Sequence, residues 1–128
     1  MIVLDTHAWI WWVNESERLS DAAQLTIQQT DRVGIAAISC WEVAMLVAKE
    51  RIGFSVDVQI WIELALQRPR VELLPITPEI AVRSTRLPDG FHGDPADRLI
   101  VATSLVHKSH LVSKDRKITS SGAVNVVW

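Results

Sequence analysis

Four acidic residues stand where carboxylates can act together. Asp5 follows the apolar run Ile2-Val3-Leu4, and Asp115 follows His110-Leu111-Val112-Ser113-Lys114. Glu42 comes shortly after Val33-Gly34-Ile35-Ala36-Ala37, and Asp97 lies two residues past Pro95. Brought to one place, four carboxylates repel strongly unless a cation holds them. Hard oxygen ligands select Mg2+ or Mn2+ over soft-ligand metals. A carboxylate-held cation can position and deprotonate a water and stabilise the charge that builds on a phosphate under in-line attack. The chemistry these residues point to is metal-dependent phosphodiester hydrolysis.

The elements that must position them are legible in outline. Ile2-Val3-Leu4 and Val33-Gly34-Ile35-Ala36-Ala37 are short apolar runs, the pattern of strands buried on both faces. Val71-Glu72-Leu73-Leu74, His110-Leu111-Val112-Ser113 and Val124-Asn125-Val126-Val127 read as three more strands. Between them fall helices over Thr6 to Val13, Asp21 to Thr30, about Ser39 to Arg51, Val58 to Gln67, Pro78 to about Arg86, and about Pro95 to Val106. Ser20 and Asp57 are expected caps, and Gly53 a C-terminal stop. Ala22, Leu25 and Ile27 are the expected inner positions of the second helix, and Ile60, Trp61, Leu64 and Leu66 those of the fourth.

Strands alternating with helices imply an α/β fold with a parallel sheet covered on both faces. Ligands of such sheets bind at the carboxyl ends of the strands. Asp5, Glu42 and Asp115 then share one sheet edge. Asp97 joins them because its helix must run antiparallel to the strand that follows it.

Each candidate also has a structural role to weigh. Asp94 before Pro95 fits an N-cap better than a ligand. Glu42 stands three residues after Ser39, the spacing of a capping box. Thr6 can offer a hydroxyl to the site. Ser113 can orient a carboxylate or simply end a strand. Arg98, Lys114, Arg116 and Lys117 flank the acids as candidate RNA phosphate contacts, or as an ordinary solvated face. His7, His92, His107 and His110 show no metal-ligand spacing, and Cys40 is expected to be buried.

Composition narrows the class. The 128 residues suit one domain spanning 1–128, with 48% hydrophobic and 22% charged residues, which fits a globular chain. A net charge of -2 argues against whole-chain electrostatic binding of nucleic acid, though not against a local basic rim. No apolar run is long enough to span a bilayer, and the N-terminus lacks the pattern of a signal peptide. The single Cys40 forms no internal disulfide, which suits a reducing cytoplasm. Most of the six tryptophans are expected in the core.

Taken in order, Val3-Leu4-Asp5-Thr6-His7 with Trp11-Trp12, Ser39-Cys40-Trp41-Glu42-Val43-Ala44, His92-Gly93-Asp94-Pro95-Ala96-Asp97-Arg98-Leu99-Ile100 and Val112-Ser113-Lys114-Asp115-Arg116 resemble the PIN-domain toxins of the VapC type. The resemblance covers essentially the whole chain. It implies a three-layer α/β/α sandwich with a central, mainly parallel five-stranded sheet. It also implies a Mg2+- or Mn2+-dependent ribonuclease of a type II toxin–antitoxin module, usually a homodimer, with a cognate antitoxin lying over the active site. Carried onto this chain, the core acids fall on Asp5, Glu42 and Asp97, and a more variable fourth on Asp115. Asp94 and Ser113 fall on supporting positions. One departure is Lys49-Glu50-Arg51, where this subgroup commonly has a Lys-Gly pair.

Two other enzyme classes lose on named residues. A haloacid-dehalogenase-like phosphatase needs an acid where His7 stands, and a phosphoacceptor receiver needs one near Pro75-Ile76-Thr77. A PIN-like module without catalysis, docking only RNA or an antitoxin, should lack an acid. All four are present.

Overall fold

A computed structural model describes residues 1–128. In chain order the elements are β1 (Ile2–Leu4), α1 (Thr6–Val13), α2 (Asp21–Gln29), β2 (Val33–Ala36), α3 (Ala37–Ala48) and α4 (Val58–Leu66). There follow β3 (Val71–Leu74), α5 (Pro78–Ser84), α6 (Pro95–Val106), β4 (His110–Val112), α7 (Arg116–Ser121) and β5 (Val126–Val127). The strands form one sheet in the order β3-β2-β1-β4-β5, and every pairing is parallel.

Side chains alternate across the pleat and build a core on each face. Ile2, Leu4, Ile35 and Val112 pack with Trp9, Ile27, Val43 and Trp61, so α1 to α4 cover that side. Val3, Ala36, Leu74 and Leu111 pack with Ile100, Val101 and Ile118, so α6 and α7 cover the other. This is the expected three-layer α/β/α sandwich. No helix is long and apolar enough to cross a membrane.

The order of strands matters for function. The chain lays down β1, β2 and β3 outward in one direction, then returns to place β4 on the free side of β1. The crossovers therefore diverge at β1 and β4, and open α/β sheets bind ligands in the crevice outside such a switch point.

Several local expectations are corrected. The Ser39–Glu42 capping box does not form: α3 starts at Ala37, its N-cap Ala36 makes no side-chain bond, and Ser39 is fully buried. Glu42 is therefore in the second turn. In α2 the buried residues are Ala23 and Ile27, while Ala22 and Leu25 are exposed. In α4 they are Trp61 and Ala65, and Ile60 and Leu64 face solvent. Cys40 is only half-buried. Of the tryptophans, Trp9 and Trp61 are core, Trp11, Trp12 and Trp128 pack at its margin, and Trp41 is exposed. The short helix α7 was not expected, and β5 covers only the end of the apolar run assigned to it.

Gly53 is not the stop of α3. The helix ends at Ala48 with Lys49 as its C-cap, and Glu50 takes a left-handed conformation with φ 58°. Glu50 N–H donates to the Val47 carbonyl and Arg51 N–H to the Leu46 carbonyl, which together make a Schellman motif. Glu50 thus does the work that glycine commonly does at this position of a helix end.

Candidate active site

The carboxyl ends of β1 and β4 open into a cavity of about 530 Å³. Asp5, Glu42, Asp94, Asp97 and Asp115 line it, with Arg18 and Lys114 as its cations and Thr6, His7 and Trp11 at its wall. Another cavity of about 550 Å³ lies beside Trp12 and Arg68. Its acids Glu15, Glu17 and Asp21 are all exposed, so it lacks the buried carboxylates of the first.

Each acid is set by the start of a helix or by a hydroxyl. Asp5 leaves β1 and caps α1, accepting the Ala8 N–H at 2.8 Å. Its own N–H donates to the Val112 carbonyl, which ties it to β4. Glu42 projects from α3 and accepts the Thr6 hydroxyl at 2.6 Å. Thr6 Oγ1 also lies 3.1 Å from Ser39 Oγ, so the start of α1 and the first turn of α3 are joined by hydroxyls.

Asp94 is the expected N-cap of α6, accepting the N–H groups of Ala96 and Asp97. Pro95 follows at the first helical position, where its fixed φ and missing N–H cost nothing. Asp97 therefore presents its carboxylate from the first turn, where the helix dipole favours an anion. Asp115 caps α7, accepting from Lys117 and Ile118 N–H groups. Ser113 is fully buried, accepts the Asp115 N–H at 3.0 Å and supports the Asp5 carboxylate.

The electrostatics couple these groups. Burial pushes the Asp5 carboxyl up, against hydrogen bonds from Ser113 and Ala8, and the charge of Asp97 adds to the rise. Burial likewise raises Glu42, opposed by Thr6 and reinforced by Asp97, Asp94 and Asp5. Asp97 is raised by burial, opposed by His92 and reinforced by Asp94 and Asp115. Acids drawn from four separate segments thus feel one another's charge, which is how functional sites commonly perturb their groups.

As placed, no three of these side chains converge tightly enough to grip a single ion. Thr6 engages Glu42, and His92 engages Asp97 at 2.7 Å. The fit to a hard divalent cation therefore rests on the donor set: clustered oxygen ligands that disfavour one another's charge and have too few cations facing them.

Among the expected basic contacts, Lys114 lines the cavity, with its Nζ 5.9 Å from the Trp11 ring centre. Arg116 and Lys117 are exposed at the start of α7. Arg98 is corrected. Its guanidinium donates to the carbonyls of His92, Phe91 and Ser84, so it fastens a loop and lines a different depression. Sequence reasoning missed Arg18 and His92. Arg18 carries no local signal. His92 stands five residues before Asp97, in the loop that leads into its helix.

An acid-lined cavity at the switch point of a parallel sheet defines the class: an α/β protein with a hard-oxygen site. A family model described as PIN domain matches residues 2–122. The chain belongs to the PIN-domain family. It is 42% identical over 119 residues to Ribonuclease VapC22 of Mycobacterium tuberculosis (strain ATCC 25618 / H37Rv), covering 93% of this chain and 90% of that protein. A toxin–antitoxin complex from Klebsiella pneumoniae contains a similar chain: TM-score 0.71 and 20% identity over 100% of this chain and 97% of that one. DNA-bound VapBC from Salmonella typhimurium gives TM-score 0.71 and 17% identity over 98% and 97%.

Proposed function

We infer that this PIN domain is a divalent-cation-dependent endoribonuclease and the toxin of a type II toxin–antitoxin pair. One observation carries the reading: Asp5, Glu42 and Asp97, from three separate segments, line one cavity, and the carboxyl of each is raised by burial, with the charge of neighbouring acids adding to the rise. Likeness to a protein named as a ribonuclease supports the substrate class. Likeness to toxin–antitoxin complexes supports the partner, an antitoxin, which in this reading lies over the acidic cavity. A homodimer in the cytoplasm completes the reading.

Asp5, Glu42, Asp97 and Asp115 would hold Mg2+ or Mn2+, which when bound offsets their repulsion and supplies Lewis-acid stabilisation at the scissile phosphate. The chain's own residues do the rest. Ala8 N–H and Ser113 fix the Asp5 carboxylate, and Thr6 fixes that of Glu42. Asp94 starts α6 so that Asp97 faces the cavity. Lys114 and Arg18 offset the negative wall where an RNA phosphate must approach, and Arg116 and Lys117 extend the cationic rim.

The test is cleavage of RNA by the purified protein, freed of antitoxin, with Mg2+. The reading requires cleavage by the wild type and its loss in Asp5→Asn and Asp97→Asn. A wild type inert at saturating cation would leave a module that only binds.

A further inference from the structure

The loop before α6 holds a device that the acidic site alone does not explain. His92 Nε2 lies 2.7 Å from Asp97 Oδ2, with both side chains only partly exposed, at 23% and 21%. Against a carboxylate that nitrogen carries the proton and donates. The imidazole is itself held: it stacks on the buried Phe91 ring, with centroids 4.5 Å apart and planes 20° apart. Arg98, the residue after Asp97, then grips the same loop. Its Nε donates to the His92 carbonyl at 3.0 Å, Nη2 to the Phe91 carbonyl at 2.9 Å and Nη1 to the Ser84 carbonyl at 3.2 Å. The residue that follows Asp97 therefore also fixes the loop that carries His92.

We propose that His92 is a positioning residue: the loop latched by Arg98 carries it onto Asp97, holding Oδ2 so that Oδ1 is aimed at the cation. The inference rests on the divalent-cation reading of the site. Three features favour positioning over a chance contact. Asp97 stands among like charges, Asp94 and Asp115, whose repulsion the His92 donor opposes. The bond uses one oxygen and leaves the other free. Arg98 commits two of its nitrogens to the loop carbonyls of Phe91 and His92 and the third to Ser84 at the end of α5, tying the loop that carries His92 to that helix. Partners that orient a ligating carboxylate commonly matter roughly 10- to 100-fold in metal affinity.

The experiment is calorimetric titration of Mn2+ alone into the purified protein freed of antitoxin, with melting curves to verify folding. His92→Phe keeps a ring against Phe91 and removes the donor. His92→Gln restores a donor. We expect H92F to bind Mn2+ roughly 10- to 100-fold more weakly than wild type and H92Q to recover most of that loss. If H92F does not fold, His92→Ala supplies the same comparison. Unchanged Mn2+ affinity in H92F overturns the proposal, as does an H92Q no better than H92F. Tighter binding in H92F also overturns it, because His92 would then occupy the cation's place. Asp97→Asn separates the two levels. If D97N loses Mn2+ binding and H92F does not, only the role of His92 fails. If D97N binds Mn2+ as wild type does, the cation reading fails and the proposal with it.

Discussion

The Thr6 hydroxyl donates a 2.6 Å hydrogen bond to the carboxylate of Glu42, 36 residues away in the chain. The bond links the helix after β1 to the helix after β2, and it is the main force holding the Glu42 pKa down against burial and three neighbouring acids. A hydrogen bond to a charged group contributes roughly 1.5–3 kcal/mol. Thr6→Val keeps the shape and removes the donor. It should reduce RNA cleavage roughly 10- to 100-fold, by the same conversion. Because Glu42 then rises further, the acid limb of the pH–rate profile should move to higher pH. An unmoved limb would mean that Glu42 does not govern it.

Asp94 and Asp97 divide the work of one helix turn. Asp94 accepts two backbone N–H groups, so Asp94→Ala should cost about 1 kcal/mol of stability, as for a lost cap. Asp97 accepts no backbone bond and carries a raised pKa, so Asp97→Asn should fold as well as wild type while losing activity. Paired melting curves and cleavage assays check this. Equal activity loss with no difference in stability would show the roles wrongly divided.

The raised carboxyls also set the pH dependence of folding. A folded-state pKa above the unfolded value means that the folded chain binds more protons. The stability conferred by protonated Asp5, Glu42 and Asp97 is full below the ordinary pKa of about 4 and is lost as pH rises through the raised values. Without divalent cation, Asp5→Asn should therefore melt higher than wild type at pH 7, since Asn caps a helix about as well as Asp. The gap should close as pH falls toward 4. Mn2+ at about 100 times its Kd should add about 2.7 kcal/mol to the wild type and almost none to D5N. Equal Mn2+ stabilisation of both proteins would contradict this.

Glu50 gives a test unrelated to chemistry. A left-handed residue with a Cβ costs roughly 1–2 kcal/mol, and glycine avoids that at some cost in unfolded-chain entropy. Glu50→Gly should stabilise the protein by about 0.5–1 kcal/mol in denaturant melts. Destabilisation would mean that the Glu50 side chain makes compensating contacts.

What could be read from the chain follows from its physics. Ile2–Leu4, Val33–Ala36 and the Leu111-Val112 pair of β4 are apolar because parallel strands are buried on both faces, so the sheet and its acidic edge were legible. Asp94-Pro95 marked the start of α6 without ambiguity. The faces of α2 and α4 were not legible, since both carry apolar residues on their exposed sides, including Leu25, Ile60 and Leu64. The Ser39–Glu42 spacing imitated a capping box, but the chain turns into α3 three residues earlier, with Ala36 as the N-cap and no side-chain cap. The six-residue α7, Arg-Lys-Ile-Thr-Ser-Ser, is too short and polar to show a period. His92 was missed because rules of helix spacing do not describe a contact from a loop to the helix it enters. Arg98 looked like a phosphate ligand because its type suits one, while its backbone partners exist only in the folded chain.

The central claim is that acids from separate segments act as one site. Single-turnover cleavage of an oligoribonucleotide by wild type, Asp5→Asn, Asp97→Asn and the double variant tests it most directly, because residues that act as a unit are grossly non-additive. Each single variant should lose at least about 10³-fold in rate, and the double should be no slower than the worse single. Losses that multiply in the double variant, or a D5N protein that cleaves at the wild-type rate, would contradict the account.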